Sequence, residues 1–187
     1  MAEEAAVISA MRLSFIKRVS RLVGEYFDEM TGEREKIEMI YHGSAGLNGD
    51  EYLDAEAVKQ RYIALLGSSH EREIAVGTTL FGTHKDDADI KINGKSARIY
   101  ASQGQQRSLA LALKLAEGEI CREEFGDYPV FLFDDVLSEL DETRRDYMIL
   151  HSSDKQVIIS TCESEFVKKM RAERRILVKS GTYTEMI

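Results

Sequence analysis

The sequence has one proline, two cysteines and no long apolar run among its 187 residues. Cys121 and Cys162 lie far apart without the spacing of a zinc site, so we expect two reduced thiols and no disulfide framework. No stretch approaches the roughly 18 apolar residues that a membrane span needs. Acidic residues also lie near the start of the sequence, where a signal peptide has basic residues. We therefore predict a cytoplasmic protein without a membrane partner.

The sequence also lacks an excess of basic charge, since its net charge is −8 and its pI is near 5.1. Nucleic-acid affinity depends largely on neutralising phosphates, so this charge argues against a surface that binds DNA everywhere, although it does not exclude a local basic stripe. Two candidate stripes contain Arg12, Lys17, Arg18 and Arg21, and Lys168, Lys169, Arg171, Arg174 and Arg175. A solvated charged face is the more ordinary interpretation, and we expect weak DNA binding by this chain alone.

The first seventy residues predict helices with a strand between them. Apolar residues recur at steps of three or four, at Val7, Met11, Phe15, Val19, Leu22, Tyr26 and Met30. This spacing predicts an amphipathic helix over residues 2–29 that ends near Gly32. Further predicted elements are a strand at 36–41, a helix at 55–66 that closes at Gly67, and a strand-like segment at 73–80.

An Asn93-Gly94 dipeptide lies between two alternating segments, residues 89–92 and 97–100, which is a strong signal for a β-hairpin. Asn93-Gly94-Lys95-Ser96 looks superficially like the end of a P-loop. However, the residue five positions before Gly94 is Asp89, and the context is a hairpin turn rather than a strand-to-helix loop. The sequence therefore contains no P-loop.

From about residue 101 onward, strands and helices are predicted to alternate, which indicates an α/β fold. A helix beginning at Ser102 carries the apolar stripe Leu109, Leu113, Ala116 and Ile120. The continuous apolar run at 130–133 is typical of a strand buried on both faces of a parallel sheet. Gln156-Val-Ile-Ile159, apolar after its first residue, predicts a second buried strand. The remaining predicted elements are helices at 141–150 and 163–170 and a strand at 175–178. We expect two domains, 1–100 and 101–187.

Three short motifs carry chemistry. Asp134 and Asp135 follow the first apolar run, at the end of a strand where α/β proteins bind ligands. In nucleotide hydrolases the first such acid holds Mg²⁺ and the second can polarise the attacking water, although solvated acids after a strand are the ordinary alternative. About thirty residues earlier, Ser102 suits an N-cap, and Gly104 lies at a helix start that favours anions. An ordinary capped helix explains that segment equally well.

The third motif, Val136-Leu-Ser-Glu-Leu-Asp141, follows the two acids directly. In this order the motifs resemble the signature, the Walker B strand and the D-loop of ABC-type ATPases. The residues of these motifs resemble those of the RecF family. They read Ser-Gln-Gly-Gln-Gln-Arg at 102–107 and Asp-Asp-Val-Leu-Ser-Glu-Leu-Asp at 134–141. Residues 77–87 are similar to an element of the family that contains Gly-Pro-His-Arg-Asp-Asp, with Thr83 and Lys85 in place of Pro and Arg.

The resemblance implies a partial ABC-ATPase (P-loop NTPase-like) lobe with a signature helix and parallel strands, plus a helix-and-hairpin lobe. RecF proteins dimerise head to tail around ATP. By position, the implied roles are ATP contact in trans for Ser102, Gln103, Gly104 and Gln105, Mg²⁺ binding for Asp134, catalysis for Asp135, and the D-loop for Ser138 and Asp141. ABC proteins commonly carry a histidine after the next strand, where this sequence has Ser160-Thr161-Cys162.

The family also implies partners: DNA at single-strand/double-strand junctions, RecR and RecO, and a second copy in an ATP-dependent homodimer that helps to load a recombinase. ATP and Mg²⁺ would bind only in the complete protein. We expect the P-loop to lie in a half that this sequence lacks, and expect no hydrolysis by the chain alone. The chain would then be an expressed fragment or a truncated gene product. Part of another SMC-like ATPase and a non-enzymatic interaction module remain as alternatives.

Overall fold

A computed structural model of the chain describes residues 1–32, 35–136, 140–162 and 172–186. The chain forms two compact units, Met1–Asp127 and Tyr128–Ile187. The predicted helix over residues 163–170 lies outside the described residues. The boundary between these units, after Asp127, is defined by contacts within the chain and not by domains. The domain boundary predicted at residue 100 therefore stays a prediction. None of the helices in the described ranges is long and apolar enough to cross a membrane.

The first unit is built around one long helix. In chain order its elements are α1 (Ala2–Thr31), β1 (Ile37–His42), a 3-10 helix (Gly49–Leu53), α2 (Ala55–Val76), a 3-10 helix (Thr83–Lys85), β2 (Asp87–Ile92), β3 (Lys95–Ser96), α3 (Ala97–Tyr100) and α4 (Gln103–Phe125). Helix α1 packs against α2, α4 and β1. It begins with Glu3 and Glu4, which suit the positive end of a helix, and it ends at Gly32 with φ 79°.

The buried face of α1 differs from the predicted stripe in its first half. Val7, Met11 and Phe15 are exposed, whereas Ala6 and Leu13 are buried. Both sets recur at helical spacing, because this part of the helix carries apolar residues on two faces. Periodicity alone therefore could not select the face that packs against the rest of the unit. In the second half, the predicted positions Val19, Leu22 and Met30 are buried.

Helix α2 is longer than the sequence predicts. Asp54 caps its start by accepting hydrogen bonds from the amides of Glu56 and Ala57, at 3.1 Å and 3.0 Å. The helix continues through Gly67 and ends only at Gly77, where φ is 69°. The predicted end at Gly67 and the strand-like segment at 73–80 are therefore wrong. A single glycine within a helix costs only about 1 kcal/mol, which the packing of α2 on α1 can offset.

Strands β1, β2 and β3 form an antiparallel sheet in that order, with Ile37 opposite Ile92 and His42 opposite Asp87. The Asn93-Gly94 turn is confirmed, with φ of 52° and 77° at its two residues, as a type I′ turn requires. The predicted second arm is wrong over residues 97–100. It ends after Ser96 because the chain then closes one helical turn, in which the amide of Ala101 donates to Ala97 O at 3.2 Å.

The second unit contains a parallel strand pair. Its elements are β4 (Phe131–Asp134), α5 (Glu142–Leu150), β5 (Val157–Ser160), β6 (Arg175–Lys179) and β7 (Thr182–Met186). Strands β4 and β5 are parallel, as predicted, from Phe131 opposite Val157 to Asp134 opposite Ser160. The predicted strand at 175–178 is present. It pairs with the unpredicted β7 as an antiparallel hairpin, and among the described strands it does not join β4 and β5.

The two faces of β4 differ in burial. Phe131 and Phe133 are buried, and their rings stack with centroids 6.1 Å apart. On the opposite face Leu132 is 72% exposed, and Ile158 of β5 is 57% exposed. The expectation that these strands are buried on both faces is therefore wrong within the described residues. Parallel sheets are normally covered on both faces, so this face carries apolar surface that the described residues do not cover.

A nearly buried carboxylate connects several elements of the first unit. The side chain of Asp86 is 2% exposed. It accepts hydrogen bonds from the Tyr41 hydroxyl at 2.5 Å and the Ser44 amide at 2.8 Å, and it pairs with Arg12 of α1 at 2.9 Å. Burial, together with the bond to Asp86, raises the pKa of Tyr41. The carboxylate therefore ties α1 and β1 to the segment that precedes β2.

We expect Asp86→Ala to lower the free energy of unfolding by about 2 kcal/mol, because it leaves the Tyr41 hydroxyl and the Ser44 amide without their acceptor. Arg12 adds little to this loss, since its side chain is 44% exposed and it also donates to Thr83 O. Urea unfolding of the chain measures this loss. Asp87→Ala is the matched control: its side chain is 61% exposed and pairs with Arg98 at 3.3 Å, so it should change stability little. Equal effects of the two substitutions would contradict a special role for Asp86.

Candidate nucleotide-binding site

The two adjacent acids lie at the carboxyl end of β4. Asp134 is the last residue of the strand, Asp135 follows it, and both are exposed. Opposite them, Ser160 ends β5, and its hydroxyl donates a hydrogen bond to Asp134 Oδ1. The amide of Asp135 donates both to Ser160 Oγ at 3.2 Å and to Ser160 O at 3.1 Å. The strand pair therefore ends in two consecutive exposed acids, and Ser160 of the neighbouring strand contacts both residues.

These acids suit a magnesium ion that a nucleotide brings with it. No group of three or more histidine, cysteine or acidic side chains within the described ranges could hold a metal ion. Mg²⁺ in nucleotide enzymes is usually bound through one or two carboxylates plus phosphate oxygens, rather than by a protein cage. The oxygen-only donor set at the end of β4 fits that arrangement, with Asp134 as the residue that would hold the ion.

The predicted D-loop is only partly described. Ser138 lies outside the described residues. Asp141 is the N-cap of α5: its Oδ1 accepts from the Arg144 amide at 3.0 Å, and its Oδ2 pairs with the Arg144 guanidinium. The sequence correctly predicts that Asp141 caps this helix. Its contact with a second nucleotide site stays a prediction.

The predicted signature residues form the start of α4. Ser102 is the N-cap, and a capping box joins it to Gln105: the Gln105 amide donates to Ser102 Oγ at 3.2 Å, and the Ser102 amide donates to Gln105 Oε1 at 2.8 Å. Gln105 Nε2 donates to Glu35. Ser102 and Gln103 are exposed, and the first turn contains no acid. This 23-residue helix therefore carries no acid in its own first turn, and the carboxylate beside its start is that of Glu35.

Sequence reasoning missed the parts that Ser160 and Glu35 play. Ser160 was noted only as the end of a strand. Aligning the two apolar runs as parallel neighbours would have brought it beside Asp134, so a signal was available. Glu35 lies 70 positions from Gln105, and no local pattern links the two residues. The signature residues and the acid pair belong to different compact units.

The RecF-like element at 77–87 has a structural role at one position. Asp86 is the buried anchor described above, whereas His84 and Lys85 are exposed. His84 Nε2 lies 3.4 Å from Thr79 O, and its ring would be 2.9 Å from a Cβ atom at Gly82, whose φ is 150°. Only glycine therefore suits this turn. The contact agrees with a hydrogen-bonded histidine rather than a metal ligand.

The basic residues of α1 are compensated by acids. Arg12 pairs with Asp86, Lys17 with Asp50, Arg18 with Glu123 and Glu124, and Arg21 with Glu25. Near the carboxyl end, Arg174 pairs with Glu185 at 2.7 Å, and Lys168, Lys169 and Arg171 lie outside the described residues. The pairs on α1 favour the interpretation as a solvated charged face.

Comparison with solved structures defines the class of the fold. No family model matches the chain. The SMC head bound to the C-winged helix domain of ScpA aligns with a TM-score of 0.52 at 17% identity, covering 91% of this chain and 42% of the other, which is a likeness of fold alone. Together with two solved structures that are more similar, this likeness confirms the expected α/β fold of a partial ABC-ATPase lobe.

Two solved structures of the recombination mediator protein RecF from the RecFOR pathway are more similar. The one with ATP has a TM-score of 0.85 at 31% identity, and the one with ATPrS has 0.83 at 32%. Each alignment covers 100% of this chain, but only 49% and 48% of the respective RecF chains.

Two curated relatives agree, and both are named DNA replication and repair protein RecF. The protein of Ruminiclostridium cellulolyticum is 39% identical over 165 residues, covering 88% of this chain and 44% of the relative. That of Symbiobacterium thermophilum is 37% identical over 186 residues, covering 97% and 49%. The chain belongs to the RecF family and spans somewhat less than half the length of the curated relatives that it matches.

We expect the chain alone to bind duplex DNA with a dissociation constant weaker than about 1 µM at physiological salt, because the cations of α1 already face acids. Fluorescence anisotropy across a salt series measures this. The double substitution Glu123→Gln with Glu124→Gln releases Arg18 and should strengthen binding at low salt. Glu117→Gln, which releases Lys114 on α4 instead, is the control. Salt-sensitive submicromolar binding by the unsubstituted chain would contradict the expectation.

Proposed function

We propose that the chain supplies the signature, Walker B and D-loop elements of an ATP-dependent DNA-binding protein of recombinational repair and replication restart. The complete protein would act at single-strand/double-strand DNA junctions and help to load a recombinase. The observation that carries the proposal is the pair Asp134–Asp135, open to solvent at the carboxyl end of β4. Membership of the RecF family supports it.

In this proposal each acid has its own task. Asp134 would hold Mg²⁺, which would supply positive charge against the phosphate oxygens. Asp135 orients the attacking water and accepts its proton, as a general base must do from within hydrogen-bond reach. Catalysis is otherwise positioning and charge stabilisation, which dominate phosphoryl transfer.

The signature residues act on the nucleotide of a second copy. The exposed hydroxyl of Ser102 and the first turn of α4, including Gln103 and Gly104, would contact the γ-phosphate in trans. The Gln105 side chain is engaged by Ser102 and Glu35, so we assign it the task of shaping this helix start. Ser138 and Asp141 would connect the two sites of the dimer.

The chain holds only part of the site, since the sequence contains no P-loop to cradle phosphates. The exposed apolar face at Leu132 and Ile158 is consistent with a sheet that further elements of a complete head cover. We call the chain joined to the P-loop half of a RecF relative the complemented protein. DNA, RecO and RecR are its proposed partners, because the similar solved structures belong to the RecFOR pathway.

The same exposed face favours a second candidate function. Without a P-loop, the chain could serve as a non-enzymatic module that docks a partner through Leu132 and Ile158. This alternative predicts that no mixture containing the chain hydrolyses ATP.

We expect Asp135→Asn in the complemented protein to slow ATP hydrolysis by roughly 100-fold, the scale of losing general-base help, while ATP binding is retained. Single-turnover hydrolysis and equilibrium nucleotide binding measure the two effects. Asp154→Asn is the control, because Asp154 is an exposed acid of the same unit that pairs with Lys155. Turnover of Asp135→Asn close to that of the control would remove Asp135 from the catalytic role.

We expect Ser102→Arg to abolish ATP-driven dimerisation of the complemented protein, because a long side chain at the helix start obstructs a tight phosphate contact. Sedimentation velocity with and without ATP measures the dimer. Ser68→Arg, at an exposed serine of α2, introduces the same side chain elsewhere and should leave dimerisation intact. An ATP-driven dimer of Ser102→Arg would contradict the trans contact.

A further inference from the structure

We propose that Ser160 is a positioning residue for both acids, orienting the carboxylate that would bind Mg²⁺ and holding the backbone that directs the catalytic carboxylate. The inference rests on the proposed function of Asp134 and Asp135. The geometry that points to it is the pairing of Asp134 with Ser160 as the last residues of β4 and β5. Neighbouring parallel strands end together there, so a side chain from β5 reaches across to β4.

The direction of the Ser160 hydroxyl follows from its partners. A serine hydroxyl has one proton to donate and lone pairs that accept. The Asp135 amide can only donate, so Ser160 Oγ accepts from it at 3.2 Å. The hydroxyl proton is then directed to Asp134 Oδ1. One carboxylate oxygen is thereby fixed by the hydroxyl, which leaves Oδ2 for a cation or a metal-bound water.

The same serine supports an uncommon backbone conformation. Asp135 has φ +50°, in the left-handed region that residues other than glycine adopt rarely. Its amide is held by two acceptors of one residue, Ser160 O at 3.1 Å and Ser160 Oγ at 3.2 Å. This turn sets the direction in which the Asp135 side chain leaves the strand. Ser160 therefore acts on both acids, through its hydroxyl and through its backbone carbonyl.

The exposure of Ser160 makes the inference testable, because an exposed hydroxyl at a strand end can be removed with little effect on folding. Ser160→Ala removes the hydroxyl but keeps the backbone carbonyl. Ser160→Thr keeps both and is the conservative variant. Ser153→Ala is the matched control: Ser153 is another exposed serine of the same unit, and its hydroxyl donates to Leu150 O at 3.1 Å.

The first readout needs neither metal nor nucleotide. In the 187-residue chain, NMR measures the Asp134 Hα–Hβ couplings, which report the side-chain rotamer, and hydrogen exchange of the Asp135 amide. We expect Ser160→Ala to average the couplings and to accelerate the exchange about fivefold, the factor that corresponds to one net hydrogen bond of about 1 kcal/mol. Ser160→Thr and Ser153→Ala should behave like the unsubstituted chain.

The second readout is metal affinity. Mn²⁺ binding to the complemented protein with a non-hydrolysable ATP analogue is followed by electron paramagnetic resonance. We expect Ser160→Ala to weaken Mn²⁺ binding about fivefold, to raise the Mg²⁺ concentration for half-maximal hydrolysis by the same factor, and to leave metal-free nucleotide binding unchanged. Ser160→Thr should restore both values to within about twofold.

Two results would overturn the inference: unchanged Asp134 couplings and Mn²⁺ affinity in Ser160→Ala, or equal defects in Ser160→Thr and Ser160→Ala. Asp134→Asn separates this failure from failure of the proposed function. If Asp134→Asn abolishes Mn²⁺ binding while Ser160→Ala is neutral, only the inference on Ser160 fails. If Asp134→Asn itself is neutral, the magnesium role and the inference fail together.

Discussion

The chemistry of the second unit depends on the parallel register of β4 and β5. Pairing Phe131 with Val157 at one end determines that Asp134 faces Ser160 at the other. Side chains alternate along β4, so Phe131 and Phe133 are buried while Leu132 is exposed. The acids follow at the carboxyl end of β4, and ligands of α/β proteins bind at this end of parallel strands. A shift of one residue would bury the wrong side chains and separate the hydroxyl from the carboxylate.

The first unit depends on a different constraint, the need to satisfy a buried carboxylate. Asp86 is tolerated at 2% exposure because a guanidinium, a hydroxyl and an amide all donate to it. These donors come from α1, from β1 and from the loop after it. The RecF-like segment at 77–87 thus includes at least one residue whose importance is structural, next to His84 and Lys85, which face solvent.

The sequence predicted best where the pattern is local or unambiguous. The Asn93-Gly94 turn, the Ser102 and Asp141 caps and the parallel strands at the two apolar runs were all correct. Prediction from the sequence failed where the same pattern is compatible with two different local structures. Gly67 could end a helix or lie within one, and residues 97–100 alternate but close a helical turn. The first half of α1, where one apolar face is buried and another is exposed, shows the same ambiguity.

The candidate site was predicted as a list of residue types, and its internal geometry was not. The adjacent acids and the helix start are visible in sequence because their chemistry requires neighbouring residues. The hydroxyl of Ser160 reaches Asp134 from 26 positions away, and the carboxylate of Glu35 reaches Gln105 from 70 positions away. Only the fold brings these partners together. Since the sequence contains no P-loop, the acids at the end of β4 have no phosphate cradle beside them in this sequence.

The central claim is that the nucleotide site of this chain is completed by the P-loop half of the protein. Its most direct test is Mg-ATP hydrolysis, measured for the 187-residue chain alone and for the complemented protein across a range of protein concentrations. The account predicts no hydrolysis by the chain alone, and activity of the complemented protein that rises faster than linearly with concentration. Hydrolysis by the chain alone would reveal a complete nucleotide site and contradict the account. Inactivity in every mixture would contradict it in favour of an interaction module.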